Sequence, residues 1–129
     1  TESSDYRVGP FEVESALMEH PAVAETAVVG VPDEKRHQLV KAYVILKQGE
    51  EPSRDLALDL FKASIDILAK FKIPRIIEFV TEVPKTLSGK IRRVELRERE
   101  VERQSSGTDS PSQEFFYWDF PELSSKNKN

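Results

Sequence analysis

Two runs of β-branched and apolar residues, 24–31 and 39–46, restrict what this chain can fold into more than any other feature. Such side chains suit the pleated, half-buried surface of a sheet. A turn centred on Pro32-Asp33 would bring the two runs side by side as antiparallel strands. In the second run Val40, Ala42, Val44 and Leu46 alternate with Lys41, Tyr43, Ile45 and Lys47. Alternation with a period of two is that of a β-strand.

Helical signals flank this pair. Gly9-Pro10 followed by Phe11-Glu12-Val13-Glu14-Ser15-Ala16-Leu17 starts a helix: the proline presets the first turn and Glu12 complements the helix dipole. Val13, Ala16 and Leu17 give it a narrow apolar face, and His20-Pro21 stops it. After Gly49-Glu50-Glu51-Pro52, Ser53 caps a second helix. Its residues Leu56, Leu60, Ala63, Ile67 and Phe71 share one face, with Asp55, Asp59, Lys62, Asp66 and Lys70 on the wet side. Pro74 ends that helix, residues 75–80 read as a third strand, and residues 94–103 as a charged helix anchored by Leu96. The expected fold is α+β: a small, three-stranded, mainly antiparallel sheet with packed helices.

From Gln104 the composition shifts to Ser, Asp, Gly, Pro and Asn, which cannot bury enough area to offset the entropy of ordering. Residues 1–103 are therefore expected to form the domain and 104–129 a disordered tail. Phe115-Phe116-Tyr117-Trp118-Asp119-Phe120 stands out within that tail, as either a docking patch or an unnatural terminus.

At 129 residues, 38% hydrophobic and 33% charged, the chain fits one soluble globular domain. Cysteine is absent, which removes disulfides, thiolate metal sites and a cysteine nucleophile. His20 and His37 have no partner at metal-ligand spacing, so no metal site is expected and both are read as surface residues. The net charge of −4 argues against nucleic acid as a partner. Residues 85–99 do carry six basic side chains, diluted by Glu95 and Glu98. No apolar run approaches the ~20 residues of a transmembrane helix, and no signal pattern opens the chain. It starts at Thr1 rather than methionine, as a piece of a longer protein would.

The chemistry-bearing stretch is Pro84-Lys85-Thr86-Leu87-Ser88-Gly89-Lys90-Ile91-Arg92-Arg93. Ser88-Gly89 forces a turn and sets Lys90 at its tip, just before a helix. An ammonium held there suits a phosphate or a developing oxyanion, though spacing alone more often describes a solvated surface lysine. A phosphate-binding P-loop is excluded, because Pro84 stands where its first glycine is required and Ile91 where its Ser or Thr is required.

Residues 84–93 resemble the last motif of the adenylate-forming superfamily, Pro-Lys-Thr-x-Ser-Gly-Lys-x-x-Arg. Tyr6-Arg7-Val8-Gly9-Pro10-Phe11-Glu12-Val13-Glu14 and Phe71-Lys72-Ile73-Pro74-Arg75 resemble segments of the medium-chain acyl-CoA synthetases. The resemblance covers residues 3 to about 100. It implies a carboxyl-terminal lid domain, inactive in isolation, that works with a large amino-terminal adenylation domain holding most ATP contacts and Mg2+. It implies that Lys90 is catalytic, bridging a medium-chain carboxylic acid and the ATP α-phosphate as acyl-AMP forms. It further implies that Ser4, Asp5, Tyr6, Arg7, Arg36, Pro74 and Arg75 meet coenzyme A in a second, rotated pose. A mitochondrial matrix location follows from the same resemblance.

The chain departs from the family at three places. Asp5 replaces the glycine before Tyr-Arg, Arg36-His37-Gln38 stands for Arg-Gly-Glu, and Lys70 for a proline. The adenylation motif is thus intact while the thioester side is altered. This leaves a second expectation open: a non-catalytic interaction domain derived from the family.

Overall fold

Strands β1 (Val23–Asp33) and β2 (His37–Leu46) pair antiparallel along their whole length, with Val28 opposite Ala42 and Gly30 opposite Val40. The computed structural model describes residues 10–33, 37–68, 73–106 and 113–123. The first strand runs through Pro32-Asp33 rather than turning there, and Asp33 still pairs with His37. This is possible because β1 is an edge strand, where a proline that donates no ladder hydrogen bond does little harm.

Helix α1 (Pro10–Met18) buries Val13, Ala16 and Leu17, as its spacing implies. Helix α2 (Arg54–Ile67) starts where expected: the Ser53 hydroxyl accepts a 3.1 Å hydrogen bond from the Leu56 N–H. Its buried face is turned from the one read off the spacing. Ala57, Leu60, Phe61 and Ser64 are buried, whereas Ile67 is 48% exposed. The Ser64 hydroxyl is satisfied inside the helix by donating to the Leu60 carbonyl, 2.9 Å away.

Strand β3 (Ile76–Phe79) lies parallel to β2, with Ala42 opposite Ile77. Parallel neighbours need a crossover, and α2 supplies it. Helix α3 (Arg93–Ser106) follows, with Leu96 buried as its anchor. The sheet is covered on both faces. Ala42, Val44, Ile77 and Phe79 meet Val13, Leu17, Leu60 and Phe61 on one side. Val29, Val31, Tyr43 and Ile76 meet Leu96 and Val83 on the other. Complete burial of side chains such as Leu60, Phe61 and Ile77 stabilises by about 1.5–3 kcal/mol each.

Two further expectations need correction. The sheet has four strands, not three: β4 (Glu114–Phe116) pairs antiparallel with β3, giving the order β1-β2-β3-β4. The expectation that 104–129 is a disordered tail is therefore corrected over 113–123. There Phe120 and Leu123 are buried in the main core, and the Phe120 ring lies 5.4 Å from that of Phe61. Averaging composition over the tail hid the fact that its apolar area is concentrated in one short stretch. That stretch also covers β3, which would otherwise present an open sheet edge.

Candidate functional site

The Lys90 turn is a miniature hairpin. Lys85 and Ile91 form an antiparallel bridge, and the Gly89 N–H donates to the Thr86 carbonyl at 2.9 Å. Gly89 has φ +89°, a left-handed angle that favours glycine. Thr86 grips Lys90 at both backbone groups. Its N–H donates to the Lys90 carbonyl at 2.8 Å, and its Oγ1 accepts from the Lys90 N–H at 3.1 Å. The Lys90 side chain stays exposed, so the turn is rigid while its ammonium reaches into solvent.

Two ion pairs moor this turn to the sheet. Lys85 Nζ lies 2.8 Å from Glu25 Oε2 on β1. Arg93 Nη2 lies 2.6 Å from Glu14 Oε2 on α1, and the same carboxylate oxygen accepts from the Val28 N–H at 2.8 Å. Motif lysine, edge strand and first helix are thus one connected unit. Sequence reasoning placed Glu14 and Arg93 in motifs without seeing that they bind each other.

The sequence reading missed Lys41 altogether. One of the residues that alternate with Val40 and Ala42 along β2, it is 0% exposed. Its ammonium lies 2.8 Å from Glu78 Oε1 on β3, 2.6 Å from Glu100 Oε2 on α3 and 2.5 Å from Glu114 Oε2 on β4. The Tyr43 hydroxyl donates to Glu100, and Arg103 lies 3.3 Å from the same carboxylate. Burial alone would lower the Lys41 pKa, but attraction to Glu78 and hydrogen bonds to Glu100, Glu114 and Glu78 reverse the effect and raise it. Burial and then the Glu100 hydrogen bond push the Tyr43 phenol far up. Three carboxylates at this spacing could surround a metal ion; here they surround the chain's own ammonium.

Arg75 sits before β3, at the opposite end of that strand from the Lys90 turn. Its N–H donates to the Val40 carbonyl at 2.9 Å and its carbonyl accepts from the Tyr117 N–H at 2.8 Å. The guanidinium carbon lies 4.4 Å from the centroid of the Tyr117 ring. Pro74 beside it is buried. The structure therefore does not bring Lys90 and Arg75 together. Ser4, Asp5, Tyr6, Arg7 and Arg36 lie outside the described residues, as do Lys70, Phe71 and Lys72. His20 is not a ligand candidate: its Nδ1 accepts from the Ala22 N–H at 3.1 Å, and Nε2 lies 3.8 Å from Asp59.

Residues 12–90 match the model of the AMP-binding enzyme C-terminal domain. The chain is 66% identical over 105 residues to 4-hydroxybutyrate–CoA ligase 1 of Metallosphaera sedula, covering 81% of the chain and 19% of that protein. It is 52% identical over 101 residues to the human mitochondrial acyl-coenzyme A synthetase ACSM1, covering 77% of the chain and 18% of that protein. Among solved structures it is similar to an acyl-CoA synthetase of Brucella canis, at TM-score 0.73 and 55% identity, over 75% of this chain and 18% of that one. It is also similar to the anthranilate CoA ligase AuaEII in complex with anthranoyl-AMP, at TM-score 0.70 and 48% identity, over 72% and 18%. The chain spans about a fifth of the length of the curated relatives it matches.

Proposed function

Because the chain belongs to the family of AMP-binding enzyme C-terminal domains, we propose that it is the lid of an ATP-dependent acyl-CoA synthetase and acts only when joined to a large adenylation domain. In the first half-reaction a carboxylate attacks the ATP α-phosphate, giving acyl-AMP and pyrophosphate. Lys90 supplies a positive charge between the acid and that phosphate, where negative charge builds up. In the second, the CoA thiol attacks the acyl carbon and releases AMP, with Arg75, Pro74 and the segment from Ser4 to Arg7, together with Arg36, meeting CoA. The observation that carries this reading is the Thr86 clamp, which holds Lys90 on a rigid turn with its ammonium free to solvent. Placement of Arg75 at the far end of β3 supports a lid that turns between the two half-reactions.

Among the described residues the three-carboxylate group Glu78, Glu100 and Glu114 is closed around Lys41, and Mg2+ would be held by the large domain. The acid proposed is of medium chain length, selected by the large domain, and a matrix location applies where the parent is mitochondrial. Asp5 favours a second reading as a non-catalytic interaction domain, because a carboxylate there repels anionic acyl-AMP and CoA.

One comparison tests the proposal. The isolated chain should give no acid-dependent ATP–pyrophosphate exchange, and the chain joined to its large domain should give it. Exchange by neither form would leave the interaction-domain reading standing.

A further inference from the structure

Arg75 differs from every other described arginine except Arg97, which lies exposed on α3. Arg54, Arg92, Arg93, Arg99 and Arg103 all lie within 4 Å of a carboxylate. No described carboxylate pairs with Arg75. Its backbone is nevertheless fixed on both sides, by the Val40 carbonyl and by the Tyr117 N–H. Its guanidinium rests over the Tyr117 ring at 4.4 Å. An aromatic face attracts a guanidinium without using any N–H, so the donor edge stays available for a planar, two-point contact. A carboxylate in the same place would occupy that edge.

Tyr117 itself is held by the segment that carries it. Glu114 anchors the segment to buried Lys41, Phe120 fills the core against Phe61, and Glu122 meets Arg54 at 3.2 Å. The ring is thus a fixed platform, and it lies beyond the residues 12–90 that match the family model.

We propose that Tyr117 is a positioning residue that presents Arg75, donor edge outward, to a phosphate of the nucleotide part of the thiol substrate. This rests on the reading of Arg75 as a CoA contact. It adds that the segment after α3 belongs to the thioester half of the reaction and not to adenylation.

The test uses the full synthetase that carries this chain, with Tyr117→Leu, Tyr117→Phe and Arg75→Lys. Three quantities are measured: acid-dependent ATP–pyrophosphate exchange, kcat and KM with CoA, and turnover with pantetheine, which lacks the nucleotide phosphates. Tyr117→Leu should raise KM for CoA about tenfold while exchange, kcat and pantetheine turnover stay within about twofold. Tyr117→Phe should keep the wild-type KM, and Arg75→Lys should raise it, since an ammonium cannot make the two-point contact. An unchanged CoA KM in Tyr117→Leu overturns the inference. So does a loss shared equally by exchange and pantetheine turnover, which marks a merely structural role. Absence of exchange in the wild type would instead defeat the synthetase reading itself.

Discussion

Arg93 and Glu14 stand 79 residues apart in sequence, yet Arg93 Nη2 lies 2.6 Å from Glu14 Oε2, joining the end of the lysine motif to the first helix. The pair also protects an edge. Val28 lies on the outer strand β1, and its N–H points to the same Glu14 oxygen. Removing Arg93 leaves a mostly buried carboxylate short of its cation. Arg93→Ala should therefore cost about 2–3 kcal/mol in urea unfolding with an unchanged m-value. A double-mutant cycle with Glu14→Gln should return a coupling of at least about 1 kcal/mol.

The buried lysine sets the next expectation. Lys41→Met removes the cation around which Glu78, Glu100 and Glu114 gather, and among the described residues leaves the carboxylates with Arg103 and the Tyr43 hydroxyl. The expected cost is about 3–5 kcal/mol, read as a lowered urea midpoint. Loss of less than about 1 kcal/mol would show that water or rearranged carboxylates replace the ammonium cheaply.

Alkaline pH should attack the same cluster. Both Lys41 and Tyr43 hold their protons to higher pH in the folded chain than the ordinary values of 10.5 and 10.0. A raised folded-state pKa means that the stability it represents is complete below the unfolded value and is lost as pH climbs through the folded one. Thermal melting should be flat from neutral pH to about pH 10 and fall above it. Lys41→Met should shrink that alkaline decline.

The segment after α3 is expected to be part of the folded unit. Deleting residues 113–129 exposes β3 and removes Phe120 and Leu123 from the core, about 1.5–3 kcal/mol for each side chain. It also takes Glu114 from Lys41. Amide exchange of β3 should accelerate sharply in the truncated chain. Unchanged protection of Ile76–Phe79 would mean that the segment adds nothing to the sheet.

What the sequence made legible was local. The α1 face of Val13, Ala16 and Leu17, the Ser53 cap, the strand character of β2 and the Gly89 turn each depend on neighbours within a few positions. The burial of Lys41 was not legible because its partners Glu100 and Glu114 lie 59 and 73 residues away, and nothing local distinguishes an inward lysine from an outward one. The α2 face turned because Ala57 and Phe61 pack against the sheet while Ile67, at the helix end, does not. β4 escaped notice because a polar tail was judged by average composition. Of the site, the motif revealed Lys90 as a candidate but not its Thr86 clamp. The Tyr117 platform under Arg75 carried no sequence signal beyond a cluster of aromatics.

Thr86 itself can be tested. Thr86→Val keeps the size and the backbone bond to the Lys90 carbonyl but removes the Oγ1 that accepts from the Lys90 N–H. Fold stability should change by no more than about 1.5 kcal/mol. Acid-dependent ATP–pyrophosphate exchange in the full synthetase should fall about tenfold, because a loosened turn positions its charge less well. Equal loss in the thioester half-reaction would point to general damage instead.

The central claim is that Lys90 serves adenylation alone, and measuring the two half-reactions separately in a Lys90→Ala synthetase tests it most directly. Acid-dependent ATP–pyrophosphate exchange should fall by roughly 10²–10³, the range for losing one preorganised donor to a developing charge. Conversion of supplied acyl-AMP and CoA to acyl-CoA should stay within about threefold of wild type, since the Arg75 end of the lid is untouched. An equal fall in both half-reactions, or exchange that survives intact, would contradict the account.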